Sequence, residues 1–378
     1  MKGLFLLALK LLLGDRGKFA TLVIGISFAV FLMMQMTSMF FGIIQHSAAN
    51  IINIGARMWV LDPAIRTPLN SIPMPGYILD AVRSIPGVEY AEPLYMGAGL
   101  VHLDDGTYQP VTIIGLDDAT LMGRPDLVAG KILDIYRTNA FFVVKDGNYA
   151  KLGSPGIGTT FEINDHRGMI AGIAQVPLGS LFGIPTLYTT YTRATEDLPP
   201  TRYSISYILV QPKSAQDIPK IEEQVRNLGY LALTDQEFIR RNDQFYEFQT
   251  AMGINILIMT LISFIVGLSI AGETFYMFVL DNLERFGALK AIGARGSDLV
   301  RMIVFQALVV GFLGYGFGVL FSSALIGFSR LRIPNYAAVI NYQNLLLAFG
   351  MVLVISVVSS YIGIRRVIRI DPFDVFRS

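Results

Sequence analysis

The chain has 378 residues, of which 53% are hydrophobic and 16% charged, whereas soluble domains carry about 25% charged residues. This composition is typical of a membrane protein. The formal net charge of +1 argues against a nucleic-acid partner, which would require a concentrated basic surface. The absence of cysteine excludes disulfides, thiolate nucleophiles and cysteine-ligated metals.

The N-terminal region, residues 1–18, contains a short apolar run at 3–13 that is interrupted by Lys10. This run is too short to cross a bilayer and predicts an interfacial helix on the cytoplasmic side. Residues 19–45 predict the first transmembrane helix, because spanning a bilayer takes about 20 apolar residues. The charge-free run is too long for a typical cleaved signal peptide, which favours a retained span.

Three further apolar stretches follow a long, less apolar segment. The predicted spans are 250–280, 303–328 and 345–364, joined by a cytoplasmic loop at 281–302 and a short outside loop at 329–344. Basic residues precede the first span, separate the second from the third, and follow the fourth in the tail 365–378. The positive-inside rule therefore predicts cytoplasmic N- and C-termini.

Residues 46–249 alternate strand-like runs, turn signals and short helical patterns, which predicts an α/β domain on the extracytoplasmic side. Within it, 90–103 and 108–117 read as a hairpin. The loop 176–185 is unusually apolar, which indicates either a contact with a partner or the membrane or a place inside the domain. The predicted fold class is a membrane α-helical protein with four transmembrane helices (1 + 3) and a large α/β extracytoplasmic domain between the first and second.

The segment 234–253, TDQEFIRRNDQFYEFQTAMG, is helical in pattern throughout. It predicts that the second span continues outward, without a break, as a stalk. A continuous helix can carry motion rigidly.

The loop between the second and third spans predicts a short helix with an unusual face. Leu283, Phe286, Leu289 and Ile292 recur at three-residue spacing and predict one apolar side. Gly293 can end the helix by leaving the right-handed region. Such a helix could dock in a groove on a soluble partner or lie among lipid headgroups.

The residues of this helix resemble a known signature. ERFGALKAIGA (284–294) resembles the coupling helix of the FtsX/MacB-type permeases of ABC transporters. The tail IDPFDVFR (370–377) resembles the same family's terminal motif at Pro372, Asp374 and Arg377, although Val375-Phe376 replaces the usual Ala-Leu. The stretches 264–293 and 56–63 are most similar to the DevC-type subgroup.

This resemblance implies a homodimeric, non-catalytic permease bound to two copies of a separate ABC ATPase subunit, which would hold ATP and Mg; it implies no cofactor in this chain. The residues that would contact the ATPase are Glu284, Phe286, Gly287, Leu289, Lys290, Ala291, Ile292 and Gly293. Phe286→Ala or Gly287→Asp is expected to uncouple hydrolysis from transport. The sequence agrees that the ATPase lies elsewhere, since the glycine-rich stretch 153–160 lacks the lysine of a phosphate loop.

Two functions follow from the resemblance. The first is export of a hydrophobic or amphipathic substrate from the bacterial cytoplasmic (inner) membrane by mechanotransmission, with a membrane fusion protein and an outer-membrane channel as further partners of DevC-type systems. The second is an FtsX-like signalling permease that activates an extracytoplasmic cell-wall hydrolase without transport. An intramembrane enzyme lacks support, because the spans contain no Ser/His, paired-Asp or His-metal pattern.

Two features inside the spans are candidates for substrate contact. Gln35, Met36 and Thr37 lie in a methionine-rich stretch, which indicates cargo or soft-metal contact or, as the plainer interpretation, packing and lipid contact. Glu273 is the only acid in a predicted span. A buried acid would favour a functional role, whereas access to the headgroups would give a structural one.

Overall fold

The computed structural model describes residues 2–180, 183–196, 205–333 and 336–368. The chain forms two compact units. The helical unit comprises Met1–Gly42, Ala251–Ser329 and Ala338–Ser378, and the sheet unit comprises Ile43–Thr250 and Arg330–Ala337.

The α-helices and strands of the described residues are numbered in chain order. The helices are α1 (Lys2–Gly14), α2 (Arg16–Ser47), α3 (Ala49–Ile54), α4 (Tyr77–Arg83), α5 (Tyr191–Glu196), α6 (Ile218–Asn227), α7 (Asp235–Gln244), α8 (Ala251–Asp281), α9 (Leu283–Ala291), α10 (Gly296–Arg332) and α11 (Tyr342–Ile368). The strands are β1 (Met58–Leu61), β2 (Val88–His102), β3 (Tyr108–Leu116), β4 (Asp126–Ala129), β5 (Ala140–Val144), β6 (Thr160–Ile163), β7 (His166–Gln175), β8 (Thr186–Thr190), β9 (Tyr207–Pro212) and β10 (Leu231–Thr234).

Among the described residues, four helices are long and apolar enough to cross a membrane: α2, α8, α10 and α11. A helix satisfies its backbone hydrogen bonds within itself, which is why such apolar runs can cross lipid. The sheet unit lies in the chain between the first and second of these helices. The predicted fold class is therefore confirmed.

Small residues let the long helices approach closely. A Cβ added at Gly267 of α8 would collide with Ala29 of α2, and one added at Gly318 of α10 would collide with Val30. Packing of this kind, rather than a hydrophobic driving force, holds helices together in lipid.

Helix α1 packs against the same bundle along one side. Ala8 and Leu12 are fully buried in the helical core, while Leu6 and Leu13 are exposed. Gln306 of α10 donates a hydrogen bond from Nε2 to the Ala8 carbonyl at 2.8 Å. The short apolar run is thus fixed to the bundle by a buried amide as well as by its leucines.

The sheet unit is built on a sheet whose described strands have the order β10-β1-β9-β2-β3-β8-β5-β7-β4, with β6 pairing β2 and β7. The predicted hairpin is confirmed, since β2 and β3 pair antiparallel from Tyr95↔Gly115 to His102↔Tyr108. Strand β3 then pairs with β8 in parallel. On one face, Trp59, Tyr207 and Phe238 form a buried aromatic cluster, with the Trp59 ring 5.5 Å from Tyr207 and 5.6 Å from Phe238.

The predicted unbroken stalk helix is wrong. Helix α7 starts with the predicted pattern, because Thr234 and Glu237 form a capping box, and it continues as a π-helical turn over Phe245–Gln249. Thr250 is extended, with φ −113° and ψ 153°, and α8 begins at the next residue. The Thr250 hydroxyl donates to the Tyr246 carbonyl at 2.8 Å, so a β-branched side chain competes here for a helix carbonyl.

Candidate coupling helix

The short helix α9 follows directly from α8 through Asn282, which is buried. The Asn282 amide nitrogen donates to the Phe278 carbonyl at 2.8 Å, and its amide oxygen accepts from Arg285 Nη1 at 2.9 Å. The Asn282 backbone carbonyl accepts from Phe286 N at 3.0 Å. One side chain therefore fixes the angle between the end of a membrane helix and the start of α9.

A Schellman motif closes the other end of α9. The N–H of Ala294 donates to the Leu289 carbonyl at 3.0 Å, and the N–H of Gly293 donates to the Lys290 carbonyl at 3.1 Å. Gly293 has φ 104°, a conformation that strongly favours glycine. The prediction that Gly293 ends the helix by leaving the right-handed region is confirmed.

The prediction of one exposed apolar face is wrong. Phe286 is fully buried in the helical core and Leu289 is partly buried against it, whereas Ile292 is 85% exposed. Residues three apart on a helix turn through about 300°, so each falls about 60° behind the one before it. Over three such steps Leu283 and Ile292 reach nearly opposite sides, and Phe286 anchors the helix instead of facing a partner.

The exposed part of α9 is therefore its start and its tip. Glu284 lies in the first turn and is exposed, and Ala291, Ile292 and Gly293 form an exposed tip. Of the other residues predicted to contact an ATPase, Gly287 is buried and Lys290 is half-buried. The terminal motif residues Pro372, Asp374 and Arg377 lie outside the described residues.

Ion pairs lie on the same side of the helical unit as α9. The Lys18 ammonium of α2 pairs with Asp281 at the end of α8, and also with Asp15 at 3.3 Å. Because these side chains are about 40% exposed, water and salt screen the pairs and they contribute little to stability. These pairs constrain the geometry instead, because they join the start of α2 to Asp281, the residue before Asn282.

The predicted substrate-contact residues do not form one site. Gly25 of α2 lies beside Ile270 of α8, and Ala29 lies beside Gly267, so the two helices run antiparallel. At about 1.5 Å per residue this register puts Met36 about 20 Å from Glu273 along the helix axis.

Much of the methionine-rich stretch packs within the helical core. Met33 and Met34 are fully buried in the helical core. The Thr37 hydroxyl donates to the Met33 carbonyl at 2.8 Å, while Gln35 and Met36 are half-buried. Glu273 is exposed. Among the described residues, no group of three His, Cys, Asp or Glu side chains is placed to hold a metal.

Four membrane-crossing helices, a sheet domain between the first two and a rigid short helix between the second and third define a multi-pass membrane protein of the permease class. The MacB-like periplasmic core domain family model matches residues 19–228, more than half of the chain. The FtsX-like permease C-terminal family model matches residues 254–372. The chain belongs to the FtsX/MacB-type permeases of ABC transporters, and its sheet unit is the extracytoplasmic domain.

Several curated proteins are similar over much of the chain. An ABC transporter permease of Mycobacterium tuberculosis is 26% identical over 332 residues, which cover 86% of this chain and 85% of that protein. The hemin transport system permease HrtB of Staphylococcus haemolyticus is 20% identical over 66% of each chain. The macrolide export ATP-binding/permease protein MacB of Escherichia coli is 26% identical over 40% of this chain and 26% of its own length.

Two solved structures are similar to about half of the chain. The extracellular domain of YknZ from Gram-positive bacteria is 12% identical, with a TM-score of 0.37, over 47% of this chain and 99% of that chain. The periplasmic region of MacB from Actinobacillus actinomycetemcomitans is 14% identical, with a TM-score of 0.36, over 48% of this chain and 89% of that chain.

Proposed function

We propose that this protein is the permease subunit of an ABC exporter that couples ATP hydrolysis by a separate ATPase subunit to extraction of a hydrophobic or amphipathic substrate. The working unit is a homodimer with two ATPase copies, in the inner membrane, with both termini in the cytoplasm. A membrane fusion protein and an outer-membrane channel complete the export route. The DevC-type subgroup is the proposed placement within the family.

The observation that carries this proposal is the construction of α9. A fully buried Phe286 holds the helix on the membrane bundle, a buried Asn282 fixes its angle, and an 85% exposed Ile292 stands at its tip. A helix fixed in this way transmits a push on its tip to α8 without first bending. Because Thr250 is extended, the proposed motion does not pass along one continuous helix.

The test is a charge at the tip of α9. Ile292→Asp is expected to abolish co-purification of the cognate ATPase subunit and substrate-stimulated ATP hydrolysis in nanodiscs, because a carboxylate cannot enter an apolar groove without a large desolvation cost. The matched control is Leu331→Asp. Leu331 is also apolar and is 84% exposed, but it lies at the C-terminal end of α10, whereas Ile292 precedes the N-terminal end of that helix.

Equal ATPase binding by Ile292→Asp and by wild type would refute the contact. A different outcome would favour the signalling function: the wild-type protein binds the ATPase and activates a cell-wall hydrolase, but no substrate stimulates its ATP hydrolysis. Phe286→Ala is expected to weaken coupling by loosening α9 from the bundle rather than by removing a contact with the ATPase.

A further inference from the structure

A cavity of about 540 Å³ lies in the sheet unit over the middle of the β2–β3 hairpin. This volume is within the range of about 300–1,000 Å³ that is usual for small-ligand sites. Its lining includes the opposed residues Ala98 and Thr112 of the hairpin. Its walls come from residues 69–71 and Pro73, from Ser180 and Ile184, and from Asn50 of α3.

Ser180 and Ile184 belong to the apolar segment 176–185, in which polar side chains hold Leu178 and Gly179. Asn53 of α3 donates from Nδ2 to the Leu178 carbonyl at 2.7 Å and accepts from the Leu178 N–H at 3.1 Å. The Nδ1 of His46 lies 2.8 Å from the Gly179 carbonyl and donates to it. The backbone next to Ser180 is therefore held in place before any ligand arrives, which lowers the entropic cost of binding.

The described lining is uncharged. It contains no Asp, Glu, Lys, Arg or His side chain, and combines apolar groups such as Leu69 and Ile184 with the amides of Asn50 and Asn70. A charged group placed there would lose water without gaining a counter-charge. The cavity therefore selects an uncharged ligand that carries both apolar and hydrogen-bonding groups.

The alternation of hydrogen bonds along the hairpin shows the direction in which the backbone N–H and C=O of Ala98 point. Opposed residues of an antiparallel pair alternate between bonded and non-bonded pairs. The Thr112 N–H donates away from β2, to the Pro185 carbonyl at 2.9 Å. Ala98 and Thr112 are therefore a non-bonded pair, so the N–H and C=O of Ala98 point to the side of β2 opposite β3.

On that side the described residues occupy the hydrogen-bonding groups of β2 at two places and leave the groups between them unoccupied. Strand β9 pairs with β2 only as far as Leu94. The Met96 N–H donates a hydrogen bond to the Ser206 hydroxyl at 3.0 Å. The Leu100 N–H donates to Asn164 Oδ1 at 2.9 Å. Among the described residues, no hydrogen-bond partner lies against the backbone groups of Ala98, which is itself exposed.

We propose that this cavity binds an extended, uncharged peptide segment of an amphipathic cargo. One residue of the ligand exchanges both backbone hydrogen bonds with Ala98, as in strand addition, and its apolar side chains contact Leu69 and Ile184. An alkyl glucoside lacks the paired N–H and C=O that a strand edge recognises. This inference rests on the proposed export function, because it names the class of substrate.

The test is peptide binding to the full chain in nanodiscs without the ATPase. The probe is a Leu-Val-Thr-Leu peptide with a fluorophore on its N-terminus and an amidated C-terminus, and its binding is followed by fluorescence anisotropy. We expect the same peptide with methylated backbone nitrogens to bind at least about tenfold more weakly, and Ala98→Phe, which fills the cavity, to bind at least about tenfold more weakly than wild type. Ala98→Ser, which keeps the backbone groups and the open space, is the matched control and is expected to bind like wild type.

Trp59 remains the single tryptophan in both variants, so its fluorescence checks that the sheet unit is folded. No binding by wild type, equal binding of the methylated peptide, equal binding by a folded Ala98→Phe protein, or equal competition by octyl glucoside would each overturn the inference. Since no ATPase is present, these failures are separate from a failure of the Ile292 test, which addresses the proposed function itself.

Discussion

A buried amide–hydroxyl pair joins the end of α2 to α7 and gives a sharp test of the structure. Asn242 is fully buried and donates from Nδ2 to the Ser47 hydroxyl at 2.7 Å. The Ser47 hydroxyl donates in turn to the Ile44 carbonyl at 2.7 Å. The Oδ1 atom of Asn242 has no hydrogen-bond partner among the described residues.

The two single substitutions are expected to differ strongly. Ser47→Ala removes the acceptor at 2.7 Å from the Asn242 amide nitrogen and leaves it only the longer bond to Asp243 Oδ1 at 3.4 Å, and an unsatisfied buried polar group costs about 1–3 kcal/mol. Asn242→Leu, of similar volume, removes the unsatisfied Oδ1 along with the amide and leaves Ser47 bonded to Ile44. We expect Asn242→Leu to be near neutral and Ser47→Ala in the Asn242→Leu background to cost less than about 1 kcal/mol.

The assay uses the only tryptophan of the chain. Trp59 is fully buried in the sheet unit and lies 5.6 Å from the ring of Phe238, one helical turn before Asn242 on α7. Urea unfolding of the full chain in nanodiscs, followed by Trp59 fluorescence, therefore reports the undocking of α7. Equal destabilisation by Ser47→Ala in both backgrounds would refute the reasoning, because it would show no coupling between the two side chains.

Two further substitutions test the sheet unit by the same assay. Gly130 has φ 99°, and a Cβ there would lie 2.8 Å from the Ala171 carbonyl oxygen. Gly130→Ala is therefore expected to lower the free energy of unfolding by more than about 1–2 kcal/mol. An unchanged free energy of unfolding would contradict the close approach of these backbones. Burial, assisted by the nearby Glu247 carboxylate, raises the pKa of Asp243 to about 6, above the value of about 3.9 for an unfolded chain. The folded state therefore binds this proton more tightly, and the stability it contributes is present below about pH 4 and is lost as the pH rises through about 6. Asp243→Asn is expected to flatten that part of the pH profile relative to wild type, and an unchanged profile would contradict the assigned pKa.

Local patterns predicted the elements of this fold well. The β2–β3 hairpin follows from two strand-like runs around a turn, and α7 starts where the helical pattern from Thr234 predicts it, since each of these signals lies within a few consecutive residues. The parallel pairing of β3 with β8 joins residues more than seventy positions apart, and no local signal specifies it. The end of the helix at Thr250 also escaped prediction, because threonine is compatible with a helix and its competing hydrogen bond depends on the backbone already in place.

The sequence predicted the position of the candidate site, but it did not predict which residues of the site are buried and which are exposed. The stretch 284–294 marked the position of α9 and Gly293 marked its end, because a left-handed residue at a helix end is a local requirement. Which residues face inward depends on the helix axis relative to the bundle. That orientation is fixed by Asn282, which no pattern singled out. The open edge at Ala98 was likewise invisible in sequence, since it results from where β9 stops pairing with β2.

The burial of Phe286 changes how much surface α9 can offer an ATPase. With Phe286 and Gly287 inside and Leu289 half-buried, the proposed apolar contact with an ATPase reduces to the tip at Ala291, Ile292 and Gly293. A contact carried by so few residues concentrates its binding energy on one side chain, as at the centre of other protein interfaces. Single substitutions at Ile292 should then have large effects on ATPase binding, while substitutions at Phe286 should alter transmission and leave ATPase binding intact.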